Sequence, residues 1–134
     1  MNAGKLLKTA ALMLFFITAA ACGKNDSEGD KNEEALRISI KASPLETLPG
    51  PEHSFSVQVE SAVPAGGIKY EITVKSERDD RLIYYTLVPQ VKTSLTTLNV
   101  LYLPRQVICV CTVKAISLTN PDNNTSRSFR LVYK

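Results

Sequence analysis

The chain contains no tryptophan and one histidine, His53, among its 134 residues. A single imidazole confines Ser-His or Cys-His chemistry to whatever His53 can reach. No Gly-x-Ser-x-Gly elbow, phosphate-cradling glycine loop or EF-hand loop is present to supply another route. Cysteine is almost as scarce, limited to Cys22, Cys109 and Cys111. A Cys-x-Cys pair alone lacks the third and fourth ligands of a zinc site, so neither a metal nor another cofactor is expected. Charge of one sign never accumulates: 16 Lys and Arg are scattered against 13 Asp and Glu. Without a dense basic block there is no nucleic-acid footprint and no polybasic membrane patch. Nor does any apolar run approach the roughly 20 residues that a membrane-spanning helix needs. Together these absences point away from an enzyme and toward a non-enzymatic domain.

What is present begins at the first residues. Lys5 and Lys8 precede an apolar run from Ala10 to Ala21, which ends in three alanines directly before Cys22. Basic start, short apolar stretch and small residues at the cut make a secretory signal, expected to be cleaved. Ala19-Ala20-Ala21-Cys22 resembles the lipobox of bacterial lipoproteins, with Ala19 where that family usually has Leu or Val. The resemblance implies that residues 1–21 are removed, that the Cys22 thiol carries diacylglycerol and that its freed amine is acylated, with palmitate-type chains. At about 0.8 kcal/mol per buried methylene, two or three chains hold a protein on a membrane where one does not. The alternative is ordinary secretion, since Ala-x-Ala also suits the non-lipid signal peptidase.

Residues 23–34, GKNDSEGDKNEE, contain no aliphatic or aromatic side chain and carry two lysines against five carboxylates, a net −3. With Cys22 they read as an acidic flexible tether over 22–34, spanning about 20 Å. Gly23 is not the aspartate that retains some bacterial lipoproteins at the inner membrane. The resemblance therefore implies the outer membrane of a diderm bacterium, on its periplasmic or its surface side.

From residue 35 to 134 the chain is mildly basic, with twelve Lys and Arg against eight Asp and Glu, or +4. Apolar residues recur at every second position, the strand period, and no stretch holds the helical period for three turns. Leu36, Ile38 and Ile40 mark the first strand, and the proline-rich stretch Ser43 to His53 reads as a turn. Phe55, Val57 and Val59 share one face of the next run, as do Ile68, Tyr70, Ile72 and Val74 of the third. Leu82 to Val88 is apolar on both parities, so it either lies centrally or covers something. Cys109, Cys111, Val113 and Ala115 share a face of a later run, buried as small hydrophobes and too close in sequence for an unstrained disulfide. Phe129, Leu131 and Tyr133 alternate in the last. Seven short strands separated by turn residues favour a two-sheet sandwich.

Counting from Leu103, the positions of Cys109, Cys111, Val113 and Ala115 match the register of fibronectin type III domains, which carry Leu, then Tyr six residues on, then small or branched apolar residues. Cys109 stands where that family has tyrosine. The resemblance implies an immunoglobulin-like or fibronectin III-like β-sandwich over residues 35–134.

Binding therefore becomes the first expectation: an envelope adhesion or assembly module that holds a protein or glycan. Tyr84 and Tyr85 are strand neighbours, so one faces inward and the other outward. The outward one, with Tyr102, offers a stacking or hot-spot surface. The second expectation is a small envelope enzyme or an enzyme inhibitor presenting the proline-rich loop 44–53. Asp79 and Asp80, with Glu77 nearby, form the densest carboxylate cluster of the domain and read as a solvated hairpin tip.

Overall fold

The computed structural model describes residues 32–134; the expected signal segment 1–21, Cys22 and the tether through Lys31 lie outside the described residues. Among the described residues the chain is all-β, with no helix: β1 (Ile38–Ile40), β2 (Leu45–Leu48), β3 (His53–Val59), β4 (Ile68–Ser76), β5 (Leu82–Val91), β6 (Leu95–Val100), β7 (Ile108–Ser117) and β8 (Asn124–Tyr133). They form a three-stranded sheet in the order β1-β3-β6 and a five-stranded sheet in the order β2-β8-β7-β4-β5. All neighbours are antiparallel except β2, which runs parallel to β8. This is an immunoglobulin-like sandwich, in which the inner faces of two sheets enclose the core.

Period-two alternation builds that core. Along β4 every odd step is wet and every even step dry: Ile68, Tyr70, Ile72 and Val74 are buried between half-exposed Lys69, Glu71, Thr73 and Lys75. On β7, Cys109, Cys111, Val113 and Ala115 are buried in the same way. Register then matches size, because the large Tyr70 lies opposite the small Ala115 and Ile72 opposite Val113. Phe55, Val57 and Val59 of β3 close the core from the other sheet. Both β7 cysteines are free thiols.

Turns carry local signals. The chain bends at Pro64, whose carbonyl accepts the Gly67 amide at 2.9 Å. Gly67 sits at φ +90, where a Cβ would stand 3.0 Å from the Val91 carbonyl oxygen, so glycine is required there. The β4–β5 hairpin closes with the Ser76 amide donating to the Arg81 carbonyl and the Asp80 amide to the Ser76 carbonyl, both at 2.9 Å.

Three features depart from the sequence reading, and a fourth decides between its alternatives. The stretch Ser43–His53 is no simple turn: Leu45–Leu48 forms β2, and Leu48 belongs to the core. Its flanking prolines imitate a turn, yet proline is tolerated beside an edge strand, and pairing with β8 supplies the backbone partners. The strands therefore number eight, and what is left of the expected inhibitor loop 44–53 is mainly Pro49–Glu52. His53 is the first residue of β3, outside any turn. Leu82–Val88 does not lie centrally, since β5 is an edge strand whose Ile83, Tyr84 and Val88 cover the core from one side.

The third departure is at the tether. Its expected last residues, Glu33 and Glu34, are held by the sandwich. The buried Ser117 hydroxyl donates to Glu33 Oε1 at 2.7 Å, and Asn123 Nδ2 donates to Glu33 Oε2 at 3.0 Å and to the Glu34 carbonyl at 2.9 Å. Asn123 Oδ1 in turn accepts the Leu36 amide at 2.8 Å. Glu34 accepts the Ala62 amide at 2.8 Å and pairs with Arg37 at 3.0 Å, and these two contacts hold its carboxyl below the usual range.

Candidate binding surface

The segment 101–107 carries the chain from β6 in one sheet to β7 in the other, and two buried residues fix its path. Val100 ends β6 fully buried, and Leu103 is buried with its amide bonded to the Pro51 carbonyl at 3.0 Å. Between these anchors Tyr102 is forced to φ +61 and its side chain is thrust out, 77% exposed. A left-handed backbone costs a non-glycine residue about 1–2 kcal/mol, and water gains nothing from a bare tyrosine ring. Such strain persists where the surroundings over-determine it, and it clusters at functional sites.

Tyr102 does not stand alone. Its ring centroid lies 6.3 Å from that of Tyr84, with the planes tilted by 58°. Tyr84 is half-buried against the core, so it forms the fixed wall of an aromatic wedge whose other wall is in solvent. Paired aromatic rings supply contact area at little entropic cost, and a hydroxyl at each tip can bond a partner.

Tyr85 is placed elsewhere. It pairs with Thr73 on the outer face of the five-stranded sheet, and Leu87 pairs with Glu71 on the same face. An irregularity after Tyr84 shifts the register so that Leu82 pairs with Lys75, which puts Leu82 on that outer face as well. Leu82, Tyr85 and Leu87 thus form a stripe, 58%, 53% and 44% exposed. Of the three tyrosines expected at a contact surface, Tyr84 and Tyr102 come together and Tyr85 faces away. In the sequence Leu82–Leu87 is simply apolar on both parities; only the register shift brings Leu82 onto the face of Tyr85 and Leu87.

Beside the stripe, a shallow trough of ≈ 440 Å³ crosses the outer face, lined among others by Glu71, Thr73, Lys75, Thr112, Lys114 and Ser126. Its charges neutralise one another: Lys69 lies 3.7 Å from Glu71, and Lys75 lies 3.7 Å from Asp80. Thr112 and Ser128 hydroxyls bond each other at 2.8 Å. A solvated sheet face explains this trough fully. At the hairpin, Asp79 Oδ1 accepts the Arg81 amide at 3.3 Å, and bonds from Ser76 and Arg81 keep its carboxyl below the usual range. Glu77 is engaged by Arg130, whose Nη2 donates to Oε2 at 2.9 Å while Nε lies 2.8 Å from Oε1. Among the described residues no three His, Cys, Asp or Glu side chains stand together as a metal set.

His53 is packed among rings. Its centroid lies 6.0 Å from Phe55 and 6.1 Å from Phe129, which themselves meet edge-to-face at 5.0 Å. Burial lowers its pKa, opposed by the charge of Glu46. The thiols are also in the core: burial raises Cys109, and pushes Cys111 up to about 12. Thiols held so far from ionisation are poor nucleophiles at neutral pH.

No protein-family profile and no curated protein matches the chain. Among solved structures, it is similar to the crystal structure of the CARDB domain of the PF1109 protein from Pyrococcus furiosus in complex with di-metal ions, at TM-score 0.40 and 13% identity, covering 75% of this chain and 97% of that one. It is also similar to the solution NMR structure of the same domain, at TM-score 0.38 and 10% identity, covering 73% and 94%.

Proposed function

We propose that this protein is a membrane-tethered, non-catalytic binding module of the bacterial envelope. It is moored in the outer membrane of a diderm bacterium through a lipidated Cys22 and holds a partner protein against the Tyr84–Tyr102 wedge. The signal-like segment ending at Cys22 supports the mooring. One observation carries the binding role: an aromatic side chain kept 77% exposed on a left-handed backbone, beside a second ring. Folding alone gives no reason to retain it. A protein partner is favoured over a glycan, since the tryptophan that most often makes a sugar platform is absent.

Photo-crosslinking in native envelopes tests this reading. A photoreactive aromatic residue at position 102 is expected to capture one discrete protein species, whereas the same group at Ser54, on the outer face of the other sheet, captures none of it. Equal capture from both positions, or none from either, overturns the role of the wedge. Capture of a polysaccharide at 102 alone would make the partner a glycan.

A further inference from the structure

β5 ends the five-stranded order, so its far edge has no strand beside it among the described residues. Unpaired edges invite another strand, and proteins usually guard them with charges, prolines or bulges. This edge is guarded only at its ends. The register of β5 against β4 shifts between Tyr84 and Leu82 and again between Val88 and Val91, around Pro89. Tyr84–Val88 remains a regular run, and no residue of Leu82–Val91 is charged. The other free edges belong to shorter strands: β1 has 3 residues, β2 has 4 and β6 has 6, against 10 in β5.

We infer that β5 is the contact between two copies of this chain, paired antiparallel about a two-fold axis at Thr86. Thr86 is the midpoint of the regular run, and that choice fixes every other pair. Tyr85 of each copy lies opposite Leu87 of the other, on the outer face that both already share. The two residues are 53% and 44% exposed in one copy, and the pairing sets each against the other at both ends of the run. Tyr84 lies opposite Val88 on the inner face, keeping like face to like face, as a strand pair requires. Aromatic residues opposite aliphatic ones are favourable cross-strand pairs.

A shift of one residue would set outer faces against inner faces. No charged side chain lies anywhere in Leu82–Val91, so the run Tyr84–Val88 meets no like charge when it faces its own image. An isologous contact of this kind closes on itself as a dimer and does not grow into a fibre. The paired surface is small, so association is weak in free solution. Tethering to a membrane would raise the effective concentration.

Disulfide trapping of the full chain in oxidised envelopes decides the point. Residues directly opposite in an antiparallel pair have Cα atoms about 4.5–5.5 Å apart, within disulfide range. Thr86→Cys is expected to give a covalent dimer, while the unsubstituted chain and Thr112→Cys, on β7 away from the edge, do not. Adding Leu87→Lys to Thr86→Cys, which sets a guarding cation opposite Tyr85 of the other copy, is expected to cut the trapped fraction at least fivefold, with Leu87→Ile leaving it unchanged. A Thr86→Cys yield no higher than that of Thr112→Cys overturns the inference, as does a yield indifferent to Leu87→Lys. Neither result touches the wedge, because Tyr102 crosslinking is read from a different product.

Discussion

The rings of Tyr84 and Tyr102 meet at 6.3 Å although one belongs to a sheet edge and the other to a connection between sheets. Tyr84 is half-buried by the core, whereas Tyr102 is held outside it by its neighbour Leu103, which is not. The wedge is thus a by-product of core packing on one side and of backbone strain on the other. If the wedge binds as proposed, its Tyr84 wall is already held in place by the core before a partner arrives.

Tyr70 tests the packing of the centre. Its side chain is fully buried and its hydroxyl has no hydrogen-bond partner among the described residues, while burial pushes its pKa up to about 12. A buried unpaired hydroxyl costs about 1–3 kcal/mol. Tyr70→Phe is expected to stabilise the fold by about 1 kcal/mol in urea denaturation. A loss of stability would mean that the hydroxyl is bonded.

His53 sets a pH dependence. Its folded pKa is depressed by burial among Phe55 and Phe129, with Glu46 opposing. Below its unfolded value of about 6.5 the unfolded chain takes up the proton more readily. The stability from the neutral ring is therefore complete above that pH and is lost as pH falls toward the folded value. Comparing urea midpoints at pH 7.5 and 5.5, His53→Phe is expected to lose less than the unsubstituted chain. Equal losses would show that the ring protonates freely in place.

Asn123 clasps the residues that lead into the domain, through Glu33, the Glu34 carbonyl and the Leu36 amide. Asn123→Ala removes all three bonds. It is expected to destabilise the fold by about 1–3 kcal/mol and to speed protease cleavage before Leu36. Unchanged cleavage would show that the clasp does not restrain this segment.

Much of the architecture was legible because the strand period survives in the sequence. The buried faces of β3, β4 and β7 are those that the alternation marks, as are Phe129 and Leu131 of β8, whereas Val132 is buried off the pattern and Tyr133 is half-buried. β2 was hidden: Pro44 and Pro49 look like turn residues, and its partner β8 is remote in the chain. Leu82–Val88 is apolar on both parities, a pattern shared by central strands, and only topology makes it an edge. The wedge was half legible. Tyr84 and Tyr102 stand out by type, but nothing in a tyrosine announces a left-handed backbone as Gly67 does.

The mooring has its own check. Cys22→Ser removes the thiol that the lipobox-like segment presents, and the protein is expected to move from the membrane fraction to the soluble fraction. An unsubstituted chain that is already soluble, or an unmodified residue 22 by mass spectrometry, would contradict lipidation.

The most direct test of the binding role is Tyr102→Gly, read for stability and for capture together. Glycine adopts φ +61 without the left-handed penalty, so the fold is expected to gain about 0.5–1 kcal/mol, while co-purification of the species that the photoreactive residue at 102 identifies falls at least tenfold from the unsubstituted chain to Tyr102→Gly when both are treated with the same chemical crosslinker. Opposite signs in the two readings mark a residue kept for contact at the expense of stability. A more stable protein that captures its partner as well as before would contradict the binding role of the wedge.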